Sequence, residues 1–150
     1  MALVPGRLTT ALRAATGVPR LYAAALRAGV GPGGAAQVVA ISAGAAGVAA
    51  RRGRGERGRQ NAVRHFVWQA LVTARFGHQV ARTVAEAQES GARREADSRV
   101  DRHNNTVGQE YGAAHAAELS ESSATEALEA LAAVALEKWS ARELVWVRPH

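Results

Sequence analysis

Apolar residues recur every three or four positions through most of residues 60–140, and this period restricts the fold more than any other feature of the chain. It is the spacing of an amphipathic helix, which packs its apolar side against a partner. The first such segment, "QNAVRHFVWQALVTARFG", ends at Gly77, a residue type that often terminates helices. The pattern returns in three further segments, residues 78–91, 95–120 and 122–140.

Helix signals and composition agree on the fold class. Ser123 and Glu126 have the spacing of a capping box and predict the start of the last helix. Alanine is abundant and aromatic residues are 5% of the chain, which favours helices over strands. We therefore predict an all-α protein with a small bundle of about four helices, followed by a short strand or extended tail at residues 144–147.

The first 59 residues differ in character from the predicted bundle. Residues 7–28 predict two short, basic amphipathic helices, and residues 35–50 form an apolar, alanine-rich segment. This segment is shorter than the roughly 20 residues that span a bilayer, so a buried or membrane-lying helix is favoured over a transmembrane or signal segment. "RRGRGERGR" lacks apolar side chains and predicts a linker. The predicted division is an anchoring or assembly segment (1–50), a linker (51–59) and a helical bundle domain (60–147).

Positive charge is concentrated at the N-terminal end. The net charge is +6, and residues 1–60 contain nine arginines and one acid, Glu56. Such an excess is typical of contact with an anionic surface, so we predict an anionic membrane or a protein partner for residues 1–59. Nucleic-acid binding is the weaker alternative, because aromatic residues do not alternate with the basic ones. The absence of cysteine excludes thiolate chemistry but leaves a cytoplasmic, membrane-associated or secreted location open.

Helix-unfriendly polar residues are crowded into "VDRHNNTVGQEYG", residues 100–112. Helical spacing places Asp101, Asn104 and Asn105 on one seam with Gly108, which would permit close helix approach. Burying an unpaired amide costs on the order of 1–3 kcal/mol, so the seam needs polar partners. Asn61 and His65, four residues apart on the first helix, are the predicted partners.

Two interpretations of this seam stay open. In the first, it is a structural polar network that sets the register of the bundle. In the second, it lines a cleft in which His65 acts as base or nucleophile, Asp101 orients it, and Asn104 and Asn105 hold substrate oxygen atoms.

A metal site is a weaker hypothesis. His65, His103, Asp101 and Glu89 could supply ligands to a divalent ion, but no pair has the His-x-x-x-His spacing typical of zinc sites. Asp101 and His103, two residues apart on a helix, diverge by about 200° and cannot easily hold one ion. We therefore predict no metal and no cofactor.

The motifs Asn-Ala-x-Arg-His-x-x-Trp and Asp-x-His-Asn-Asn-x-x-Gly, in "NAVRHFVWQALVTARFG" and "DSRVDRHNNTVGQEYG", resemble a family of small, largely uncharacterised all-α bacterial domains. Some of its members are C-terminal modules of secreted or polymorphic toxins, and the resemblance covers residues 58 to 147. It implies functional positions at Asn61, Arg64, His65, Trp68, Asp101, His103, Asn104, Asn105 and Gly108. Where such domains have a His-Glu pair, this chain has Gln88 and Glu89, which puts a catalytic or metal role of that pair in doubt.

From these features we expect a hydrolase-like bacterial effector domain, of toxin type, with a polar cleft between helices and an unknown substrate. His65 and Asp101 are the predicted catalytic pair. The alternatives are a non-enzymatic module that binds a membrane or a protein, with the polar network purely structural, and a nucleic-acid binder. The predicted substrate-binding residues are Asn61, Arg64, Glu89, His103, Asn104 and Asn105.

Overall fold

The structure is a computed structural model that describes residues 17–89 and 95–146, with side chains in the second range described from residue 98. Over these ranges the chain forms seven helices and no strand, which confirms the predicted all-α class. The first of the two predicted amphipathic N-terminal helices lies largely outside the described residues. The helices are α1 (residues 17–27), α2 (Pro32–Arg52), α3 (Arg57–Phe76), α4 (His78–Glu89), α5 (Glu95–Ala114), α6 (Ala116–Glu121) and α7 (Ala124–Ser140).

Helix α3 is the central element of the bundle. It packs against α2, α4, α5, α6 and α7, and its most extensive contact is with α5. Every residue from His65 to Thr73 is buried, so this stretch has no solvent-facing side. A helix enclosed in this way must be apolar or must find polar partners all round. Helix α3 does both, because valine, leucine and alanine alternate with buried His65, Gln69 and Thr73.

Helix α2 belongs to the same core as the predicted bundle. Proline at its first turn, Pro32, suits a helix start, and Val38, Ile41, Ala45 and Val48 bury one stripe against the neighbouring helices α3 and α7. Of the predicted linker, only residues 53–56 lie outside helices. The division at residues 50 and 59 stays a prediction about domain organisation, but apolar packing is continuous across it.

Length and composition make α2 the one described helix that could cross a membrane, with a mean hydropathy of 1.4. One third of that apolar window is buried inside the protein. A core helix of a soluble protein and a signal sequence meet the same criterion.

The four predicted bundle helices are present, with one difference. The segment predicted as a single helix over residues 95–120 is divided at His115 into α5 and α6. The capping box prediction for α7 is confirmed at its N-cap, because the Ser123 hydroxyl accepts a hydrogen bond from the Glu126 backbone N–H at 3.2 Å. Residues 144–146 form no strand, and residue 147 lies outside the described residues.

Candidate functional site

Helices α3 and α5 run in the same direction and meet along a ladder of polar pairs. Asn61 contacts Asp101, and one turn later His65 contacts Asn105. A further turn along, the Gln109 amide donates to the Gln69 carbonyl oxygen at 2.7 Å. Each step advances four residues on both helices, so the predicted contact between the two polar seams is present.

Two glycines allow this close approach. A Cβ atom on Gly108 would lie 2.6 Å from the Phe66 carbonyl oxygen and 3.1 Å from the Phe66 Cα atom. One turn later, a Cβ atom on Gly112 would collide with the Ala70 backbone. Any side chain at these positions would push the helices apart and lengthen the polar contacts between them.

His65 lies at the centre of the ladder and is 1% exposed. Its Nδ1 atom is 2.8 Å from the Asn105 carbonyl oxygen, which can only accept, so Nδ1 carries a proton. The Nε2 atom is 3.3 Å from the Asp101 carboxylate and 3.3 Å from the Arg64 guanidinium. A neutral imidazole accepts from Arg64 there, whereas a protonated imidazole donates to Asp101. In either protonation state the ring is held between two charged neighbours.

Asp101 is 3% exposed and obtains its partners from α3. The Asn61 amide donates to its carboxylate at 3.0 Å, and Arg64 in turn donates to the Asn61 carbonyl oxygen at 3.2 Å. Burying a carboxylate is costly unless such hydrogen bonds and a cation replace water. The two residues of the predicted catalytic pair, His65 and Asp101, are thus in contact, and their catalytic role stays a prediction.

The ladder reaches the protein surface at Glu89. The Asn105 amide donates to one Glu89 carboxylate oxygen at 3.2 Å, and the Arg102 guanidinium lies 3.3 Å from the other. Glu89 and Asn105 both line a groove of ≈ 210 Å³ between α4 and α5. The groove is close to neutral in charge, and its lining is of mixed polarity. Its polar lining includes Arg82, Glu86 and Glu89 from α4 and Arg102, Asn105 and Gln109 from α5.

Two of the predicted binding residues lie outside this cluster. Both amide atoms of Asn104 bond the Val145 backbone, each at 3.0 Å. The exposed His103 contacts the Glu143 carbonyl oxygen at 2.8 Å. These contacts tie the C-terminal segment to α5. Position 103 is about 200° from Asp101 around the helix axis. Asn104 is on the same side as Asp101, but the Val145 backbone takes up its amide.

The Gln69–Gln109 pair is not among the residues predicted from the sequence, although the helical spacing contained a signal for it. Gln69 is four residues after His65, and Gln109 is four residues after Asn105, so continuing the spacing by one turn finds both. Within the part of the chain that the structure describes, the Gln69 amide nitrogen is buried without a hydrogen-bond partner. The unpaired amide nitrogen therefore lowers the free energy of unfolding, and packing around the pair must offset this loss.

The position next to Glu89 departs from the pattern that the resemblance implies. Gln88 replaces the expected histidine, and its carbonyl oxygen is buried without a partner among residues 17–89 and 98–146. In the same part of the chain, no three His, Asp or Glu side chains converge as a metal ion would require. The expectation that no metal is bound stays a prediction.

The fold and the cluster define an all-α domain with a buried polar site between three helices. The chain belongs to the family described as a domain of unknown function (DUF6973), whose family model matches residues 34–135. The match begins in α2 and includes every predicted site residue, from Asn61 to Asn105. No curated protein and no solved structure matches the chain.

Proposed function

We propose that this chain is a hydrolase-type domain of the bacterial effector class, with its substrate bound in the groove between α4 and α5. One observation carries the proposal. Polar contacts run without a break from Asp101 through His65 and Asn105 to Glu89, from the core to the groove. The effector part of the proposal is supported by the resemblance of the two motifs to toxin modules.

The physical cost of the cluster supports a functional role. Asp101 and His65 are almost completely buried, and the Glu89 side chain is 10% exposed. Replacing such buried polar groups by well-packed apolar ones is often neutral or stabilising, so stability alone does not require them. Acids and imidazoles gathered beside a groove are the usual composition of an active site.

In this proposal Glu89 is the group that meets the substrate. A water molecule in the groove transfers a proton to the Glu89 carboxylate while its oxygen attacks the electrophilic carbon or phosphorus of the substrate. The same proton then passes to the leaving alcohol or amine, so that one water is consumed for each bond broken. Arg102, whose side chain is 63% exposed, is positioned to stabilise the negative charge that develops.

His65 and Asp101 act one contact behind Glu89. The His65 Nδ1–H group holds the Asn105 carbonyl oxygen, which leaves the Asn105 amide directed at Glu89. Asp101 and Arg64 both contact the other ring nitrogen and hold the imidazole in place. His65 is therefore a positioning residue in this scheme.

An activity screen with matched variants tests the proposal. The purified chain is assayed on esters, amides, phosphodiesters and peptidoglycan fragments beside Glu89→Gln and the control Glu110→Gln, which alters an exposed acid on α5. Loss of general-base catalysis lowers turnover by about 10²–10⁴-fold, so Glu89→Gln should fall in that range while Glu110→Gln stays active. Equal turnover by all three proteins, or no turnover on any substrate, contradicts the proposal.

A second candidate function is a non-enzymatic interaction module with a structural polar network. It is favoured by the enclosure of His65, because the ring is 1% exposed and both its nitrogens already have partners. This candidate predicts no hydrolysis, and a free energy of unfolding that falls in His65→Ala because Asn105 and Asp101 lose a partner.

A further inference from the structure

Five arginines gather at the end of the molecule where α2 stops and α3 begins. We call residues 51–59 the arginine turn. The acids that contact these arginines in the described residues are Glu56 and Glu129, which leaves this group with a net charge of +3. The arginines are Arg51, Arg52, Arg54, Arg57 and Arg59.

Three of the five are used within the fold. Arg51 and Arg52 hold the two oxygens of Glu129 on α7 at 2.6 and 3.3 Å, and they also offset the negative end of the α2 dipole. Arg59 donates to the Arg54 carbonyl oxygen at 2.5 Å and lies 3.8 Å from Glu56. These contacts fix the turn, so packing and capping explain the three residues.

Arg54 and Arg57 have no such explanation. Both are exposed, and neither has an acidic partner within the described part of the chain. Gly55 between them adopts a φ of +81°, which lets the chain reverse sharply between α2 and α3. Two unpaired guanidinium groups on a short, ordered turn present a fixed positive surface to an anionic partner.

The surface next to the arginine turn includes small apolar side chains. The last turns of α2 expose Ala43, Ala46 and Ala50, and these small side chains lead directly to the arginine turn. The two large apolar side chains that are exposed in the described residues, Val18 and Leu26, also belong to the N-terminal part of the chain. Cationic side chains next to an apolar strip are typical of surfaces that lie on a bilayer.

We propose that the arginine turn and the adjoining outer face of α2 dock on an anionic membrane surface, with α2 remaining in the protein core. Arg54 and Arg57 contact lipid phosphates, and the alanine strip lies at the level of the headgroups. A nucleic-acid backbone would satisfy the same arginines but would leave the apolar strip without a partner. This inference does not depend on the proposed hydrolase activity.

Vesicle co-sedimentation of the full chain tests the docking surface. Binding is measured on phosphatidylcholine vesicles with and without phosphatidylglycerol, for the wild type and for Arg54→Gln/Arg57→Gln. The control, Arg27→Gln/Arg82→Gln, removes the same charge from exposed positions away from the arginine turn. At ~1 kcal/mol per arginine near an anionic surface, the first double variant should bind about 30-fold more weakly, the control should bind like the wild type, and added salt should weaken all binding.

Three results would overturn the docking surface. They are equal binding to neutral and anionic vesicles, an equal loss in both double variants, and no vesicle binding by the wild type. Tighter binding to a short DNA duplex than to anionic vesicles would assign the arginines to nucleic acid instead. Circular dichroism of each variant confirms that the folded state is retained, which the exposure of all four positions predicts.

Discussion

Helix α3 is packed in two different ways on its two sides. Towards α2 and α7 the contact is made by side chains such as Val38, Ile41 and Leu131, which require only matching shape. Towards α5 the contact includes Asn61, His65 and Gln69, each matched to one partner by a hydrogen bond. Apolar packing tolerates many sequences of similar volume, whereas a polar ladder accepts few. The apolar side of α3 therefore contributes mainly to stability, and the polar side fixes how α3 and α5 are aligned.

The apolar side should give the largest loss of stability. Leu131 on α7 is 1% exposed, and Leu131→Ala removes its buried methyl groups and leaves a cavity. We expect a loss of about 2–5 kcal/mol in the free energy of unfolding, measured by chemical denaturation. A loss below about 1 kcal/mol would mean that this side of α3 repacks freely.

Gly108→Ala tests how closely α5 packs against the polar side of α3. The added Cβ atom would meet the Phe66 carbonyl oxygen at 2.6 Å, and backbone atoms cannot rotate away. We expect a loss of about 2 kcal/mol. Gly47→Ala in α2 is the matched control, because its nearest neighbour would be the flexible Arg51 side chain at 4.0 Å. That change should stabilise the protein by up to ~1 kcal/mol through helix propensity, and an equal loss in both variants would argue against the close approach.

The buried glutamine pair sharpens the comparison through a double-mutant cycle. Gln109→Leu alone leaves the buried Gln69 carbonyl oxygen without its partner and should cost on the order of 1 kcal/mol. Gln69→Leu/Gln109→Leu removes both polar groups and should recover most of that loss. Chemical denaturation of the four proteins measures the coupling. Additive losses would show that the two glutamines do not interact.

The smallest expected effect concerns Tyr111, on the part of α5 beyond the ladder. Burial raises the pKa of its hydroxyl above 10.0, with Glu118 adding to the shift and Lys138 opposing it. The folded state therefore favours the protonated phenol, and this contribution is complete below pH 10 and is lost as the pH rises through the folded-state pKa. Between about pH 9 and about pH 11, the wild type should lose more stability than Tyr111→Phe. Parallel curves would contradict this.

Much of the fold was predictable because helix signals are local. The apolar period of α3 and the capping of α7 at Ser123 depend on residues within one or two turns of each other. The meeting of His65 with Asp101 and Asn105 was predictable for a different reason, although these residues are about 40 apart in the chain. A buried polar seam on one helix requires a partner of the same kind on another.

Other features depend on which distant segments pack against α5, and the spacing of residues within a helix does not predict those segments. Asn104 bonds Val145, and His103 bonds Glu143, both about 40 residues further along the chain. The spacing placed Asn104 in the seam without showing that a backbone segment would occupy its amide. Glu89 was named as a possible metal ligand and through the resemblance, but its contact with Asn105 was not predicted, because it depends on how α4 crosses α5.

The central claim is that the polar side of α3 is retained for chemistry and the apolar side for stability. The most direct test measures turnover and the free energy of unfolding together for Asp101→Asn and Leu131→Ala, on whichever substrate the screen identifies. We expect Asp101→Asn to lose turnover while fully folded, because the Asp101 carboxylate supports Glu89 through His65 and Asn105. Folded Leu131→Ala should keep its turnover despite the larger loss of stability. Turnover that follows the folded fraction alone in both variants would contradict it.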